Sequence, residues 1–224
     1  MRKKRINFSL ILFLLLIPSL LLNIFLFQKT EKLEENNLVT GVIDGDTFVL
    51  KSGQKVRLGN LDAPELEFCG GKEAKERLEK LILGKTVELD IFSYGEFNRP
   101  LALVYQKGTL VNEILLKEGL VRYDGDPSPQ RERLKKAHDE AVENRKGIFG
   151  PPCLSLEPDK PGCLIKANID RHSGKKIYHF PGCNEYQSVK VEKDLGENWF
   201  CSEEEAEKAG FSKALNCHGK SYND

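Results

Sequence analysis

The sequence predicts a β-barrel with α-helices packed against it, preceded by an N-terminal transmembrane helix and followed by a small α+β module. Three observations lead to this prediction. Strand-like runs precede helical runs between residues 38 and 150, residues 8–27 are almost entirely apolar, and four of the six cysteines lie beyond residue 160. Three strands, a helix, two strands and two helices do not alternate as in a parallel α/β protein. They fit a short antiparallel barrel covered by helices.

The apolar segment at residues 8–27 is long enough to cross a bilayer as a helix. A basic arm at residues 1–6 precedes it and favours an orientation with the rest of the chain outside. No small-residue cleavage pattern follows, so an uncleaved signal anchor over residues 7–27 is preferred to a cleaved signal peptide. We therefore expect a single-pass cell-membrane protein with a polar stalk at residues 28–37. Secretion after signal-peptide cleavage is the alternative.

Local patterns predict the elements between residues 38 and 150. Strand signals run from Leu38 to Leu50, and Lys51–Gln54 forms a hairpin turn before a strand that begins at Val56. Apolar residues spaced three and four positions apart indicate the helices, and the last helix has Leu134, Ala137, Ala141 and Val142 on its inner face. After the first three strands we predict a helix at 72–83, strands at 86–92 and 101–105, and helices at 111–117 and 129–146.

The candidate site is a group of acidic and basic residues within this region. Asp46, Asp62 and Glu65 supply carboxylates, and Arg57 and Arg99 supply guanidinium groups. Carboxylate oxygens bind hard cations such as calcium or magnesium, and arginine binds phosphate through two hydrogen bonds. A carboxylate can also take a proton from an attacking water. This set of residues therefore suits phosphodiester hydrolysis, whereas Asp-Gly pairs taken singly usually indicate only turns.

The order of these residues resembles the staphylococcal (micrococcal) nuclease family. The resemblance rests on Asp44-Gly45-Asp46-Thr47, Arg57 and Asp62-Ala63-Pro64-Glu65, and continues through Arg99–Tyr105, Val111-Asn112-Glu113 and Glu118-Gly119-Leu120. It covers residues 38–150 and implies an OB-fold, a five-stranded barrel with about three helices.

The resemblance also implies a role for each site residue. Asp46, Asp62 and the backbone carbonyl of Ala63 match the calcium ligands, and Asp44 matches an acid close to the metal. Glu65 matches the general base, and the two phosphate-binding arginines fall on Arg57 and Arg99. The sequence departs from the family pattern at Phe97-Asn98, where a Tyr-Gly pair is usual, so Phe97 lacks a hydroxyl that could touch substrate phosphate.

The function implied by the resemblance is calcium-dependent endonuclease activity on DNA and RNA that leaves 3′-phosphate ends, in a domain outside the cell. The alternative is a non-catalytic OB-fold module that binds nucleic acid at the cell surface. Such a binder would use aromatic stacking platforms and a basic groove. Lys and Arg number 34, as do Asp and Glu, so the formal net charge is zero and argues against that alternative. The oligomeric state stays open.

The six cysteines suit an exported chain, in which an even number usually means disulfides. Cys69 follows the acidic turn and Cys153 follows the last helix of the barrel domain, so their pairing is the simplest partition. A proline-rich linker at residues 151–160 leads to a small module at 161–220. The module is predicted to contain either two disulfides or one zinc site, formed by its four cysteines, Cys163, Cys183, Cys201 and Cys217.

Overall fold

The computed structural model describes residues 18–26, 36–171 and 173–222. Residues 18–26 form helix α1, which is exposed along its length. Within the described residues, no helix has the length and apolar character needed to cross a membrane. The expected anchor at residues 7–27 and the stalk at 28–37 fall largely outside the described residues, so both stay predictions.

Residues 39–143 contain the elements that carry the candidate site. In chain order they are β1 (Val39–Val42), β2 (Thr47–Leu50), β3 (Lys55–Leu58), β4 (Leu61–Asp62), α2 (Gly71–Ile82), β5 (Glu88–Tyr94), β6 (Pro100–Gln106), β7 (Thr109–Leu110), α3 (Val111–Lys117), β8 (Arg122–Tyr123) and α4 (Arg131–Glu143). The predicted helices and strands of this region are therefore present, with ends shifted by up to a few residues.

The central sheet has the strand order β1-β2-β3-β6-β5, with β7 paired to β6. Its strand pairs are antiparallel except β3 and β6, which run parallel with Arg57 opposite Leu101. The predicted all-antiparallel arrangement is wrong at this pair, because the crossover through α2 lets β6 return in the direction of β3. One bridge between Leu38 and Thr86 joins the leading ends of β1 and β5. No continuous strand ladder closes the sheet into a barrel within the described residues.

The hydrophobic core lies between this sheet and its helices. Helix α2 turns Ala74, Leu78 and Ile82 into the core, as its spacing predicted. Helix α4 buries Leu134, Ala137 and Ala141, but Val142, also predicted to face inward, is 42% exposed. It lies one position beyond Ala141, and consecutive helical residues point in directions about 100° apart.

A separate two-stranded ribbon forms the edge of the site. Strands β4 and β8 pair antiparallel, so that Asp62 lies opposite Arg122. The turn that follows β4 therefore lies beside β8, the strand that follows α3. Two residues far apart in sequence are thus held side by side at this edge.

The C-terminal module forms its own small sheet. The order is β13-β10-β11-β14, and a second ribbon pairs β12 with β9. Strand β9 lies inside the predicted linker at residues 151–160, which therefore contributes a strand to the ribbon. The elements are β9 (Leu154–Ser155), β10 (Ile165–Ile169), β11 (Lys176–His179), β12 (Val191–Glu192), β13 (Asn198–Phe200), α5 (Glu203–Lys208) and β14 (Ser212–Lys213).

All six cysteines are paired. Cys69 is bonded to Cys153, the pairing that the sequence predicted, and the module contains Cys163–Cys201 and Cys183–Cys217. The disulfide reading of the module is the one that the structure shows. A core of fewer than ten buried residues stabilises this small unit, so crosslinks contribute much of its stability.

Candidate active site

The buried carboxylate of Asp46 is the centre of the site. Asp46 is only 2% exposed, and both of its carboxylate oxygens accept hydrogen bonds. Oδ1 accepts from the Thr47 hydroxyl at 2.8 Å and from Arg57 at 2.9 Å, and Oδ2 accepts from the Ala63 backbone N–H at 3.0 Å. Burial raises the pKa of Asp46 to about 6, although Arg57 and the Ala63 N–H oppose the shift. The Asp46 carboxylate therefore takes up a proton more readily than an exposed aspartate.

The loop between β1 and β2 is held by the first aspartate of the motif. Asp44 Oδ1 accepts the backbone N–H groups of Asp46 at 3.0 Å and Thr47 at 2.7 Å. Asp44 thus orients the backbone that carries Asp46. A Cβ at Gly45 would lie 2.6 Å from the Cβ atoms of both Ala63 and Ala74. Glycine at this position lets the loop approach the acidic turn and helix α2.

Arg57 joins two of the predicted cation ligands. It extends from β3 and donates from Nη1 to Asp46 and from Nη2 to Asp62. The Asp62 side chain is 63% exposed, whereas that of Asp46 is 3% exposed, so the arginine connects the interior of the site to its surface. Burial works to lower the pKa of Arg57, but Asp46 and Asp62 more than offset this and raise it.

Glu65 projects from the turn that follows β4. It is exposed, and we find no polar partner for its carboxylate among the described residues. Its backbone is firmly placed, because the Glu65 carbonyl accepts the Phe68 N–H at 2.9 Å and a Cβ at Gly71 would lie 2.0 Å from the same oxygen. Glu65 is therefore a free carboxylate on a rigid turn, beside Asp62 and Ala63.

Arg99 lies apart from this network. It precedes β6, two positions before Leu101, which pairs with Arg57. Its Nε is buried without a hydrogen-bond partner, and its guanidinium lines a cavity of about 450 Å³ with Lys55 and Phe97. Phe97 is fully exposed and has a positive φ of 55°. The structure thus brings Asp44, Asp46, Arg57, Asp62 and Ala63 into one network and leaves Arg99 outside it, in the segment that leads into β6.

The donor set fits a hard cation in part. Two carboxylates and a backbone carbonyl are oxygen ligands of the kind that calcium and magnesium prefer, with waters completing the coordination. A bound cation would offset the cost of burying the Asp46 carboxylate. However, Arg57 occupies oxygens of both carboxylates, and within residues 18–26, 36–171 and 173–222 no cluster of three or more His, Cys, Asp or Glu side chains is arranged to hold a metal.

Sequence reasoning missed the residues that join the site to the C-terminal module. Arg122 donates from Nε to Asp194 at 2.6 Å, and from Nη2 to Asp194 at 3.0 Å and Glu192 at 3.2 Å. No local pattern pairs residues about 70 positions apart. His138 of helix α4 also contacts Phe149 edge-on, with ring centroids 5.1 Å apart.

Comparison with known proteins gives consistent matches to this region. The family described as "Staphylococcal nuclease homologue" matches residues 55–150. An uncharacterized endonuclease of Escherichia coli O157:H7 is 30% identical over 119 residues, which are 50% of this chain and 74% of that protein. A staphylococcal-like nuclease of Arabidopsis thaliana is 32% identical over 117 residues, and an uncharacterized 38.1 kDa protein of Capnoides sempervirens is 31% identical over 143 residues.

The plant relatives are longer proteins. The matched segments cover 33% of the Arabidopsis protein and 40% of the Capnoides protein, and 50% and 60% of this chain. The bacterial relative is matched over 74% of its length, and the residues that the family matches, 55–150, include Arg57, Asp62 and Glu65. This chain belongs to the staphylococcal nuclease family.

Proposed function

We propose that the chain is a calcium-dependent endonuclease that hydrolyses phosphodiester bonds of DNA and RNA. The observation that carries the proposal is the network in which Arg57 bridges Asp46 and Asp62, next to the unpartnered carboxylate of Glu65. Similarity to proteins named nuclease or endonuclease supports it.

Each residue has a role in this reaction. Asp46, Asp62 and the Ala63 carbonyl would hold a calcium ion, which supplies positive charge against the phosphate oxygens. Arg57 would donate to the same phosphate, in exchange for its present hydrogen bonds to carboxylates. Arg99 would supply a second phosphate contact, as the family resemblance implies. Glu65 would take the proton from the attacking water, because its carboxylate is exposed and has no competing partner.

The products and location are also part of the proposal. Attack of water on phosphorus with departure of the 5′ oxygen would leave 3′-phosphate and 5′-hydroxyl ends, as the family resemblance implies. Three disulfides support a location in an oxidising compartment outside the cytosol. With the apolar run at residues 8–27, this supports a single-pass cell-membrane protein whose nuclease domain is outside, or a secreted form after cleavage.

The test is cleavage of end-labelled DNA and RNA by the purified chain, with calcium and with chelator. We expect calcium-dependent cleavage, with 3′-phosphate ends shown by their resistance to polymerase extension until a phosphatase is added. Binding without cleavage in calcium would instead support the non-catalytic OB-fold module. Cleavage that persists in chelator would remove the metal from the proposal.

A further inference from the structure

Arg122 of β8 lies directly opposite Asp62 of β4 in the two-stranded ribbon at the edge of the site. Residues directly opposite each other in an antiparallel pair have Cβ atoms about 4.5–5.5 Å apart and side chains on the same face. The long Arg122 side chain is therefore within reach of the Asp62 carboxylate. Asp62 already accepts a hydrogen bond from Arg57, so two arginines are available to one exposed carboxylate.

The guanidinium of Arg122 is turned toward the C-terminal module instead. Its Nε and Nη2 donate to the two carboxylate oxygens of Asp194 at 2.6 Å and 3.0 Å, and Nη2 also donates to Glu192 at 3.2 Å. The Arg122 Cζ lies 5.3 Å from the centre of the Phe149 ring. A two-point pair of arginine with carboxylate fixes geometry as well as adding energy. The module thus determines where the Arg122 charge lies.

The Asp194 carboxylate is held in place against the nuclease domain. Its side chain is 1% exposed and that of Arg122 is 16% exposed, so water is largely excluded from their ion pair. The neighbouring Lys193 is fixed by its backbone, because its N–H donates to the Cys153 carbonyl at 2.9 Å. Asp194 therefore stays beside Arg122 as long as this backbone contact is kept.

Arg122 would need a different partner without Asp194. An arginine that loses its buried carboxylate keeps its charge, which is strongly destabilising until another acceptor compensates it. Glu192 can compensate it only in part, because Glu192 also accepts from Arg171. The Asp62 carboxylate lies opposite Arg122 and is 63% exposed, so it is free to turn toward that guanidinium.

Positive charge at Asp62 matters because a cation is proposed to bind there. Arg57 must already leave the carboxylates when the cation binds. A second arginine on Asp62 would compete with the cation for the same oxygens and would repel it at short range. We propose that Asp194 is a positioning residue that holds Arg122 away from Asp62, and that the C-terminal module thereby sets the cation affinity of the nuclease site. This inference rests on the proposed function.

Calcium affinity, measured by calorimetry on the full chain, tests this inference without relying on activity. Asp194→Asn removes the charge that holds Arg122 and keeps the size of the side chain. We expect it to weaken calcium binding by roughly 10-fold, in the range that Coulomb's law gives for one more charge near a water-exposed site. Glu192→Gln should weaken it less, because Glu192 makes the longer hydrogen bond. Glu204→Gln, which removes an exposed charge from α5, should leave it unchanged.

Removal of the Arg122 charge distinguishes positioning from a purely structural role. Arg122→Gln combined with Asp194→Asn should restore wild-type calcium affinity, because no second guanidinium remains to occupy Asp62. Unchanged affinity in the folded Asp194→Asn chain would overturn the inference, and so would a loss that Arg122→Gln does not restore. The temperature of unfolding reports folding, and Glu192→Gln takes the place of Asp194→Asn if that chain does not fold.

A thermodynamic cycle separates this inference from the function on which it rests. The free energy of unfolding in urea is measured without calcium for Arg122→Gln, Asp62→Asn and both together, with and without Asp194→Asn. We expect the two changes to be nearly additive when the Asp194 carboxylate is present and clearly non-additive when it is absent. If wild type binds no calcium, the proposed function is contradicted, and the cycle alone decides whether the module holds Arg122 away from Asp62. Equal coupling with and without the Asp194 carboxylate would overturn the inference.

Discussion

Arg57 donates from Nη1 to Oδ1 of Asp46 at 2.9 Å, and the same guanidinium reaches the exposed Asp62. The two carboxylates proposed to bind a cation are thus held together by an arginine proposed to bind phosphate. In the free protein, Arg57 supplies the positive charge beside these two carboxylates. When substrate binds, a cation would replace the arginine on the carboxylates, and the phosphate would accept the hydrogen bonds that the arginine releases.

Arg57→Lys should lower kcat/KM by roughly 10²-fold, comparable with the loss of one preorganised donor to a reacting oxyanion. Lysine keeps the charge, but it cannot present two parallel N–H groups to a carboxylate or a phosphate. The same change at Arg99 should have an effect of the same kind. Steady-state cleavage of a labelled oligonucleotide measures both, with the exposed Arg131→Lys as control. Full rates in the Arg57 variant would show that only its charge matters.

Asp46→Asn should abolish calcium-dependent activity while the chain stays folded. The amide keeps the size of the side chain and an oxygen for the Ala63 N–H, but it removes the one buried anionic oxygen donor of the proposed site. Calcium titration by calorimetry, with a nucleotide present, gives the affinity directly. The exposed Asp139→Asn is the matched control. If the Asp46 variant binds calcium as wild type does, the ion lies elsewhere.

Glu65→Gln should reduce turnover by about 10²–10⁴-fold, the usual effect of losing a general base. Glu65 is exposed and its carboxylate has no partner among the described residues, so the temperature of unfolding should not change. Oligonucleotide binding should also persist, since the arginines and aspartates are untouched. The neighbouring exposed Glu67→Gln provides the control. Near-wild-type turnover in the Glu65 variant would exclude it as the base.

Local chemistry allowed part of this site to be predicted. Asp46, Arg57 and Asp62 lie within 17 positions of one another: Asp46 directly precedes β2, Arg57 lies on β3 opposite Thr47, and Asp62 ends β4, so their meeting follows from the β2–β3 hairpin and from short-range spacing. The Arg122–Asp194 pair joins positions 72 apart and depends on how two units pack, which no local pattern encodes. The parallel pairing of β3 with β6, and the separation of Arg99 from the network, likewise depend on the course of the chain between strands.

Glu197 should make the module less stable as pH rises. Burial raises its pKa to about 7, although the N–H groups of Ile169 and Glu192 donate to it and oppose the shift. Between the unfolded pKa of 4.5 and about 7, the folded protein binds more protons than the unfolded chain, so its stability falls with rising pH. The contribution is full below pH 4.5 and is lost as the pH rises through about 7. The difference between 4.5 and about 7, at about 1.4 kcal/mol per pKa unit, corresponds to about 3.5 kcal/mol.

The Glu197→Gln variant isolates this contribution from those of other buried acids. Urea unfolding at pH 4.5, 5.5 and 7 gives the free energy of unfolding of wild type and variant. We expect the advantage of wild type over the variant to shrink as pH rises. Glu204→Gln, a change at an exposed residue of helix α5, should leave the wild-type profile unchanged. Parallel profiles for wild type and Glu197→Gln would refute the assignment.

Loss of the Cys69–Cys153 disulfide should destabilise the nuclease domain by about 4.5 kcal/mol in the chain-entropy model, because the bridge joins residues 84 apart. The Cys69→Ser/Cys153→Ser pair removes it, and Cys163→Ser/Cys201→Ser removes a bridge that spans 38 residues within the module. The same model makes the shorter bridge weaker by about 0.7 kcal/mol. Removing each bridge should also destabilise a different part of the chain.

Hydrogen exchange distinguishes the two disulfide variants by the location of the amides that lose protection. Without Cys69–Cys153, amides of the nuclease core and of residues 192–196 should both exchange faster, because the Cys153 carbonyl also accepts the Lys193 N–H. Without Cys163–Cys201, faster exchange should be confined to the module, and α2 and β6 should keep their protection. Cleavage activity should follow the first change more than the second, since Cys69 lies next to the turn that carries Glu65. Equal exchange patterns in the two variants would mean that the nuclease domain and the module unfold as one unit.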